Sequence, residues 1–130
     1  MTDFSSALSV AASGMQSQAD RIRHVSENIA NADTPGYRRK VISFEAVRGR
    51  DAPNGAVQPG DVQLDQSDLP QIHDPGHPMA DENGNYQGSN VDLIIELSDA
   101  REAQRSYEAN LRVFDQLRSM SSSLNDLLRR

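Results

Sequence analysis

The sequence predicts a mainly α fold, in which two long terminal helices form an antiparallel coiled-coil hairpin with a small irregular or β-hairpin insert. Apolar residues recur at three- and four-residue spacing up to about residue 32, and again from residue 91 onward. Between them, residues 41–90 hold six of the eight glycines and five of the six prolines. We therefore expect an N-terminal amphipathic helix (1–32), a turn with an acidic irregular or β insert (33–90) and a C-terminal amphipathic helix (91–130).

The composition indicates one small domain with a thin core. Of 130 residues, 36% are hydrophobic, with three Phe, three Tyr and no Trp. The net charge of −6 is concentrated in residues 41–90, so a general attraction to nucleic acid or anionic lipid is not expected. The chain has no Cys, no apolar run near the roughly 20 residues of a membrane span, and no basic-then-apolar start typical of a cleaved secretory signal.

The N-terminal helix carries an apolar heptad on one face. Leu8, Met15, Ile22 and Ile29 recur every seven residues. Such a stripe usually packs on its own chain, but this sequence offers only one other long stripe to cover it. We therefore expect part of each stripe to remain open in the monomer. A second row completes the heptad, with Gln18 as its polar exception: Phe4, Ala11, Val25 and Ala32.

A turn at Pro35-Gly36 is predicted to end this helix. Pro35 lacks an N–H and moves the preceding Thr34 out of helical backbone, while Gly36 can supply the positive φ of a tight turn. Asn28 and Asn31 share a face and can cap the last free carbonyls or bridge to a neighbouring helix. Residues 38–40 are basic and lie favourably beyond the negative helix end. As a nucleic-acid patch they are too few in so acidic a chain.

The insert contains two short strand candidates. Residues 41–47 are β-prone, residues 61–65 alternate apolar and polar side chains, and residues 51–55 form a turn between them. Residues 74–88 are dense in turn formers. We expect a small hairpin or an irregular loop.

Neither an active site nor a cofactor or metal site is predicted. His73 and His77 have the spacing of two metal ligands on a helix, but Pro75 and Pro78 exclude a helix there. The sequence lacks a Ser/His/Asp nucleophile motif, a P-loop and a dinucleotide fingerprint. The many carboxylates of the insert show no sign of a buried cleft that would tune them.

The C-terminal helix is predicted to begin at residue 91, with Ser89 or Asn90 as its N-cap. Its apolar stripe steps by four and three, with a stammer after Phe114. This stripe is expected to pack partly on the first helix. It comprises Leu93, Leu97, Ala100, Gln104, Tyr107, Leu111, Phe114, Leu117, Ser121, Leu124 and Leu128.

Charged residues occupy the opposite face of the C-terminal helix. Acidic and basic side chains three or four residues apart can pair there and stabilise the helix modestly. The expected groups are Arg101 and Arg105 with Glu108, and Arg112 with Asp115.

Residues 28–37, with the sequence Asn-Ile-Ala-Asn-Ala-Asp-Thr-Pro-Gly-Tyr, resemble the N-terminal motif of the bacterial flagellar rod and hook proteins. Residues 74–78, 89–93, 104–110 and 113–114 are more similar to the short proximal-rod members than to the longer distal-rod and hook proteins. The resemblance covers nearly the whole chain and is weakest over residues 48–72.

This resemblance implies a structural subunit that polymerises helically through its terminal helices. It further implies export without a cleaved signal through the flagellar type III apparatus, into the rod that crosses the periplasm between motor ring and hook. The implied partners are further copies, other proximal and distal rod subunits and the rod-base adaptor, with no nucleic acid and no membrane span. A soluble helical adaptor or export chaperone is the alternative, which should be a stable helical dimer.

Together, the two stripes and the resemblance predict an assembly interface. It comprises Leu8, Met15, Ile22, Asn28, Ile29, Asn31, Thr34, Pro35, Gly36, Tyr37, Tyr107, Asn110, Leu111, Phe114, Leu124 and Leu128.

Overall fold

The computed structural model describes residues 2–129, within which two helices flank six short strands. Helix α1 spans Thr2–Ala30 and helix α2 spans Leu93–Leu128. Neither described helix is apolar enough over a sufficient length to cross a bilayer. The strands are β1 (Lys40–Val41), β2 (Phe44–Ala46), β3 (Val57–Pro59), β4 (Gln63–Leu64), β5 (Gln71–His73) and β6 (Asn85–Gln87).

The end of α1 and the start of α2 differ slightly from the predicted positions. Helix α1 ends at Ala30, two residues before the predicted boundary. The N-cap of α2 is Asp92, whose Oδ1 accepts a hydrogen bond from the Ile94 N–H at 3.0 Å. The prediction of Ser89 or Asn90 as the cap is therefore wrong. Those two side chains instead tie the chain before α2 to more distant segments.

The two helices lie side by side and run in opposite directions. The end of α1 contacts the start of α2, and the middle of α1 contacts the middle of α2. These contacts are Asn28 Nδ2–Glu96 Oε2 at 3.3 Å, Arg21 Nη2–Asp99 Oδ1 at 3.6 Å, and the close approach of Gly14 to Asn110, whose Nδ2 would lie 2.9 Å from a Cβ added to the glycine.

The strands form three separate antiparallel pairs. β1 pairs with β4 and β2 pairs with β3, so the second pair is nested inside the first within residues 40–64. β5 and β6 form a further hairpin. The nested pairs lie against α1, because the Val57 N–H donates to Ser13 Oγ at 3.1 Å and Gly55 approaches Val10.

The predicted mainly α coiled-coil hairpin is wrong as a fold class. The helices contain 29 and 36 residues, so half of the chain lies outside them. The insert forms three strand pairs, where the sequence predicts one small hairpin or an irregular loop. Apolar side chains are buried at only four described positions, all of them small or β-branched: Ala11, Val25, Ala56 and Ala103. The helices and the insert are therefore held together largely by polar contacts.

Candidate functional site: a polar junction and an open helical face

Asn28 is the centre of a buried junction between α1, the turn that follows it and α2. Its Nδ2 donates to the Lys40 carbonyl at 2.9 Å and to Glu96 Oε2 at 3.3 Å. Its Oδ1 accepts from the Lys40 N–H at 2.8 Å and from the Tyr37 hydroxyl at 2.9 Å. Every polar group of this fully buried amide is thus engaged, as burial requires. The four bonds fix where the chain runs after the helix.

A buried ion pair lies beside Asn28. Glu96 is 0% exposed, and its Oε1 accepts a hydrogen bond from Arg39 Nε at 2.6 Å. The same guanidinium contacts Asp65 Oδ2 at 3.3 Å and Asp99 Oδ2 at 3.7 Å. Burial opposes the charge on Arg39, but the hydrogen bonds and charges of Glu96 and Asp65 outweigh it and raise the pKa of Arg39. Arg39 therefore joins residues from α2 and from the insert while staying charged.

The insert is tied to the same junction. Asn90 Oδ1 accepts from the Arg39 N–H at 2.7 Å, and its Nδ2 donates to the Asp65 carbonyl at 2.9 Å. Hydrogen bonds from Ser67, together with the Arg39 charge, lower the pKa of the Asp65 carboxyl. Asp65 thus stays ionised beside Arg39, and β4 is held close to the start of α2.

Exposed groups complete the rim of the junction. Lys40 Nζ lies 2.7 Å from Glu27 Oε2, and this hydrogen bond raises the pKa of Lys40 and lowers that of Glu27. Both groups are open to water, so the pair contributes little to stability. Asn31 Nδ2 caps the Glu27 carbonyl at 2.8 Å, and Thr34 Oγ1 donates to Asn31 Oδ1.

The turn at Pro35-Gly36 has the predicted geometry. Gly36 has φ +74°, and the Tyr37 N–H donates to the Thr34 carbonyl at 3.2 Å, which closes a four-residue turn with glycine at its third position. The Gly36 N–H bonds to the carbonyl of Gln87 at 3.1 Å. Burial raises the pKa of Tyr37, whose hydroxyl reaches Asn28. The positive φ predicted for Gly36 is confirmed.

Substitution of Gly36 is expected to strain the backbone without a steric clash. A Cβ at Gly36 would meet no atom within 4 Å, so Gly36→Val should cost the roughly 1–2 kcal/mol of a left-handed L-residue. Urea unfolding should show that loss as a lower midpoint. Gly76→Ala, at a glycine without positive φ and with its nearest atom at 3.6 Å, is the matched control. Equal stability of the two variants would contradict a required turn.

The predicted stripe of α1 lies at one edge of its buried face. The side chains buried on this helix are Ala11, Ser17, His24, Val25 and Asn28, whereas Leu8, Met15, Ile22 and Ile29 are half-buried. Ser13 contacts β3 and Gly14 contacts α2. At about 100° per residue, the row of large apolar side chains points away from both of these directions. Large apolar side chains therefore line the side of α1 that the insert does not cover.

The predicted residues of α2 divide into two groups. Tyr107, Asn110 and Phe114 are half-buried, and Asn110 faces Gly14 of α1. Leu111, Leu124 and Leu128 are exposed. Because Gly14 lies opposite Asn110, residue 2 lies opposite about residue 122, so the last turn of α2 extends past the described start of α1. This extension explains the exposure of the last two leucines.

The insert does not bring its histidines together. His73 Nδ1 lies 2.8 Å from Asn85 Oδ1, whereas the His77 ring stacks on Tyr86 with 4.0 Å between centroids. Across residues 2–129, no group of three or more His, Asp and Glu side chains is placed to hold a metal ion.

Sequence reasoning missed Glu96 and Asp65 as junction residues, and Gly14 as the residue at which the two helices approach closely. Glu96 lies seven residues before the buried Ala103. A heptad that included Ala103 would therefore have placed the Glu96 carboxylate between the helices, where a buried carboxylate needs a cation as its partner. The small residues Ala12, Ala19 and Ala30 are all exposed, so the close approach of the two helices does not occur there. Gly14 supplies it instead.

Comparison with known proteins identifies the family. The family described as "Flagella basal body rod protein" matches residues 8–38, and "Flagellar basal body rod FlgEFG protein C-terminal" matches residues 82–127. A flagellar basal-body rod protein FlgC of Agrobacterium fabrum is 43% identical over 99% of this chain and 98% of its own length. FlgC proteins of Aquifex aeolicus (35% identical, 88% of this chain and 89% of that protein) and Escherichia coli (32%, 85% and 87%) are also similar.

Two terminal helices locked by the 28–40 junction, with both ends matching rod families, define a structural component of the flagellar basal body. The chain belongs to the FlgC family of flagellar basal-body rod proteins. The predicted resemblance and the predicted role as a structural rod subunit are thereby confirmed.

Proposed function

We propose that this chain polymerises helically into the proximal rod through an open face of its helix pair. The open face comprises Leu8, Met15, Ile22 and Ile29 of α1 together with Leu93, Leu97 and Leu111 of α2. Counted in helical steps from the contacts between α1 and α2, both rows fall on the side of the pair opposite β3. Leu97 is 51% and Leu111 is 40% exposed, and contiguous apolar surface of this kind marks a protein interface.

The polar junction serves this assembly by fixing the angle between the helix pair and the insert. A subunit that transmits torque needs a single geometry, and a fully satisfied buried polar network favours one geometry over others. Asn28, Tyr37 and Arg39 connect the helix pair to the insert in this way. The remaining predicted interface residues, including Asn31, Thr34 and Pro35, shape the turn at the end of that face.

The assembled subunit would lie in the rod that crosses the periplasm between motor ring and hook. Its partners would be further copies, neighbouring proximal and distal rod subunits and the rod-base adaptor, after export through the flagellar type III apparatus without a cleaved signal. Membership of the rod family supports this proposal over the adaptor or chaperone alternative.

Basal bodies from a strain deleted for this chain test the proposal. We expect that strain to be non-motile, with membrane rings but no completed rod, and an epitope-tagged copy to restore swimming. Gold labelling of the tag should mark the rod end nearest the motor ring, with a tagged hook protein as the positional control. Completed rods in the deletion strain, or label confined to the cytoplasm, would overturn the proposal.

A further inference from the structure

The β5–β6 hairpin ends in an acidic tip that no described residue covers. Residues 71–87, here the acidic arm, carry Asp74, Asp81 and Glu82 around Met79, and residues 51–92 contain no Lys or Arg. All four side chains are exposed, Met79 by 66%. In the described chain no cation lies within 4.0 Å of these carboxylates.

Local hydrogen bonds keep the tip of the acidic arm in one conformation. Asp81 Oδ1 accepts from the N–H groups of Asn83 and Asn85, both at 2.9 Å, and Asp74 Oδ1 accepts from the Gly76 N–H at 3.2 Å. A tip that is already ordered loses little conformational entropy when it docks. The arm therefore has the properties of a preformed contact element.

A matching surface runs along the outward side of α2. Ile94, Arg101, Arg105 and Arg112 are spaced by seven, four and seven residues, which places them on one line of the helix, here the arginine face. All four are exposed, Ile94 by 77%, and this line lies opposite the buried Glu96.

Within the described part of the chain, the arginine face has no acidic partner. The ion pairs expected with Glu108 and Asp115 are not formed, since these arginines have no carboxylate oxygen within 4.0 Å among residues 2–129. Glu108 shares the face, which leaves it a net charge of +2. An exposed apolar residue in line with unpaired arginines suits a protein interface, where Met and Arg are enriched.

We propose that the acidic arm of one copy docks on the arginine face of a neighbouring copy, with Met79 against Ile94 and the carboxylates beside Arg101 and Arg105. The inference rests on the proposed helical assembly. The occupant is a second copy because one chain carries both halves of the charge and apolar match. Such a contact joins two different surfaces, so each copy offers one and receives one, and the contact propagates along a helix rather than closing a dimer.

Disulfide crosslinking tests this contact directly, because the chain has no cysteine of its own. In basal bodies from cells that express Met79→Cys/Ile94→Cys, mild oxidation should link copies of this chain into dimers and longer ladders. Met79→Cys/Leu127→Cys is the control, since Leu127 is also exposed, by 64%, but lies at the far end of α2. Rods that contain the chain but give no ladder, or a link from position 79 to another rod protein, would overturn the inference and leave the proposed function standing.

Charge reversal provides a second measurement on the same cysteine pair. Arg101→Glu/Arg105→Glu should lower the ladder yield roughly tenfold, which is what a few exposed ion pairs supply together. Asp81→Arg/Glu82→Arg should do the same, and the two reversals combined should restore the yield. Unchanged yield in either single reversal would overturn the inference. A chain absent from rods altogether would overturn the proposed function and this contact with it.

Discussion

Replacing Arg39 with methionine is expected to destabilise the chain by about 3–5 kcal/mol, the usual cost of leaving one partner of a buried ion pair alone. Glu96 is fully buried, and Arg39 Nε is its close cationic partner at 2.6 Å. In Arg39→Met the carboxylate would keep only the 3.3 Å bond from Asn28. Urea unfolding followed by circular dichroism should show the loss as a lower midpoint.

Two variants identify the cause of that loss. Arg48→Met removes an exposed arginine that has no ion pair among the described residues, and should change the unfolding free energy by under about 0.5 kcal/mol. The double variant Arg39→Met/Glu96→Met should recover most of the stability, because a buried pair can often be replaced by apolar side chains at little cost. A double variant as unstable as Arg39→Met would show that the buried carboxylate is not the reason.

The sequence predicted those parts of the fold that depend on near neighbours. The α1 stripe, its end near residue 32 and the turn at Pro35-Gly36 follow from side chains within one or two turns of each other, and the structure has the turn with Gly36 at φ +74°. The residue order over 28–37 is also specific enough to indicate the family. These residues lie within the match to the rod family over residues 8–38.

The partners in the junction could not be predicted in this way. Glu96 meets Arg39 across 57 residues and Asn28 across 68, and no local pattern selects one basic residue from the three at 38–40. Sequence reasoning placed these cations beyond a helix end and so gave them a general electrostatic role. Only the folded chain shows that Arg39 alone turns inward, while Lys40 pairs with Glu27 at the surface.

The prediction of the fold class was wrong for a related reason. Strands of two or three residues give too weak an alternation to define a fold. Residues 61–65 alternate apolar and polar side chains over β4 alone, and most side chains of the strands are exposed. Pairing of β1 with β4 and of β5 with β6 depends on residues far apart in the chain. Short turn-rich segments therefore looked irregular although they form three antiparallel pairs.

Arg21 shows how a helix face can be misplaced by one position. Its neighbour Ile22 belongs to the apolar stripe, and the heptad alone would turn Arg21 towards solvent. The structure places Arg21 between the helices, 3.6 Å from Asp99 and 3.5 Å from Glu102. Arg21→Glu would put a third carboxylate beside these two, so it is not a mild substitution.

Ile22→Asp is expected to abolish rod assembly and motility while leaving the monomer folded. Ile22 is half-buried in the free chain, in the middle of the open face, so part of an aspartate there can still reach water. Once a neighbouring helix covers the face, an unpaired charge would cost several kcal/mol, and in a helical assembly that cost recurs in every copy. Swimming in soft agar and electron microscopy of basal-body preparations measure the outcome.

Gln16→Asp is the matched control for this prediction. It introduces the same residue into the interior of the same helix, so its effect on helix propensity is similar, but Gln16 is exposed and lies off the open face. Both variants should be expressed and exported alike and should unfold at similar urea concentrations, and Gln16→Asp should swim. If the two strains swim equally well, the row through Ile22 is not covered in the rod. Equal swimming would therefore show that assembly uses another surface of the helix pair.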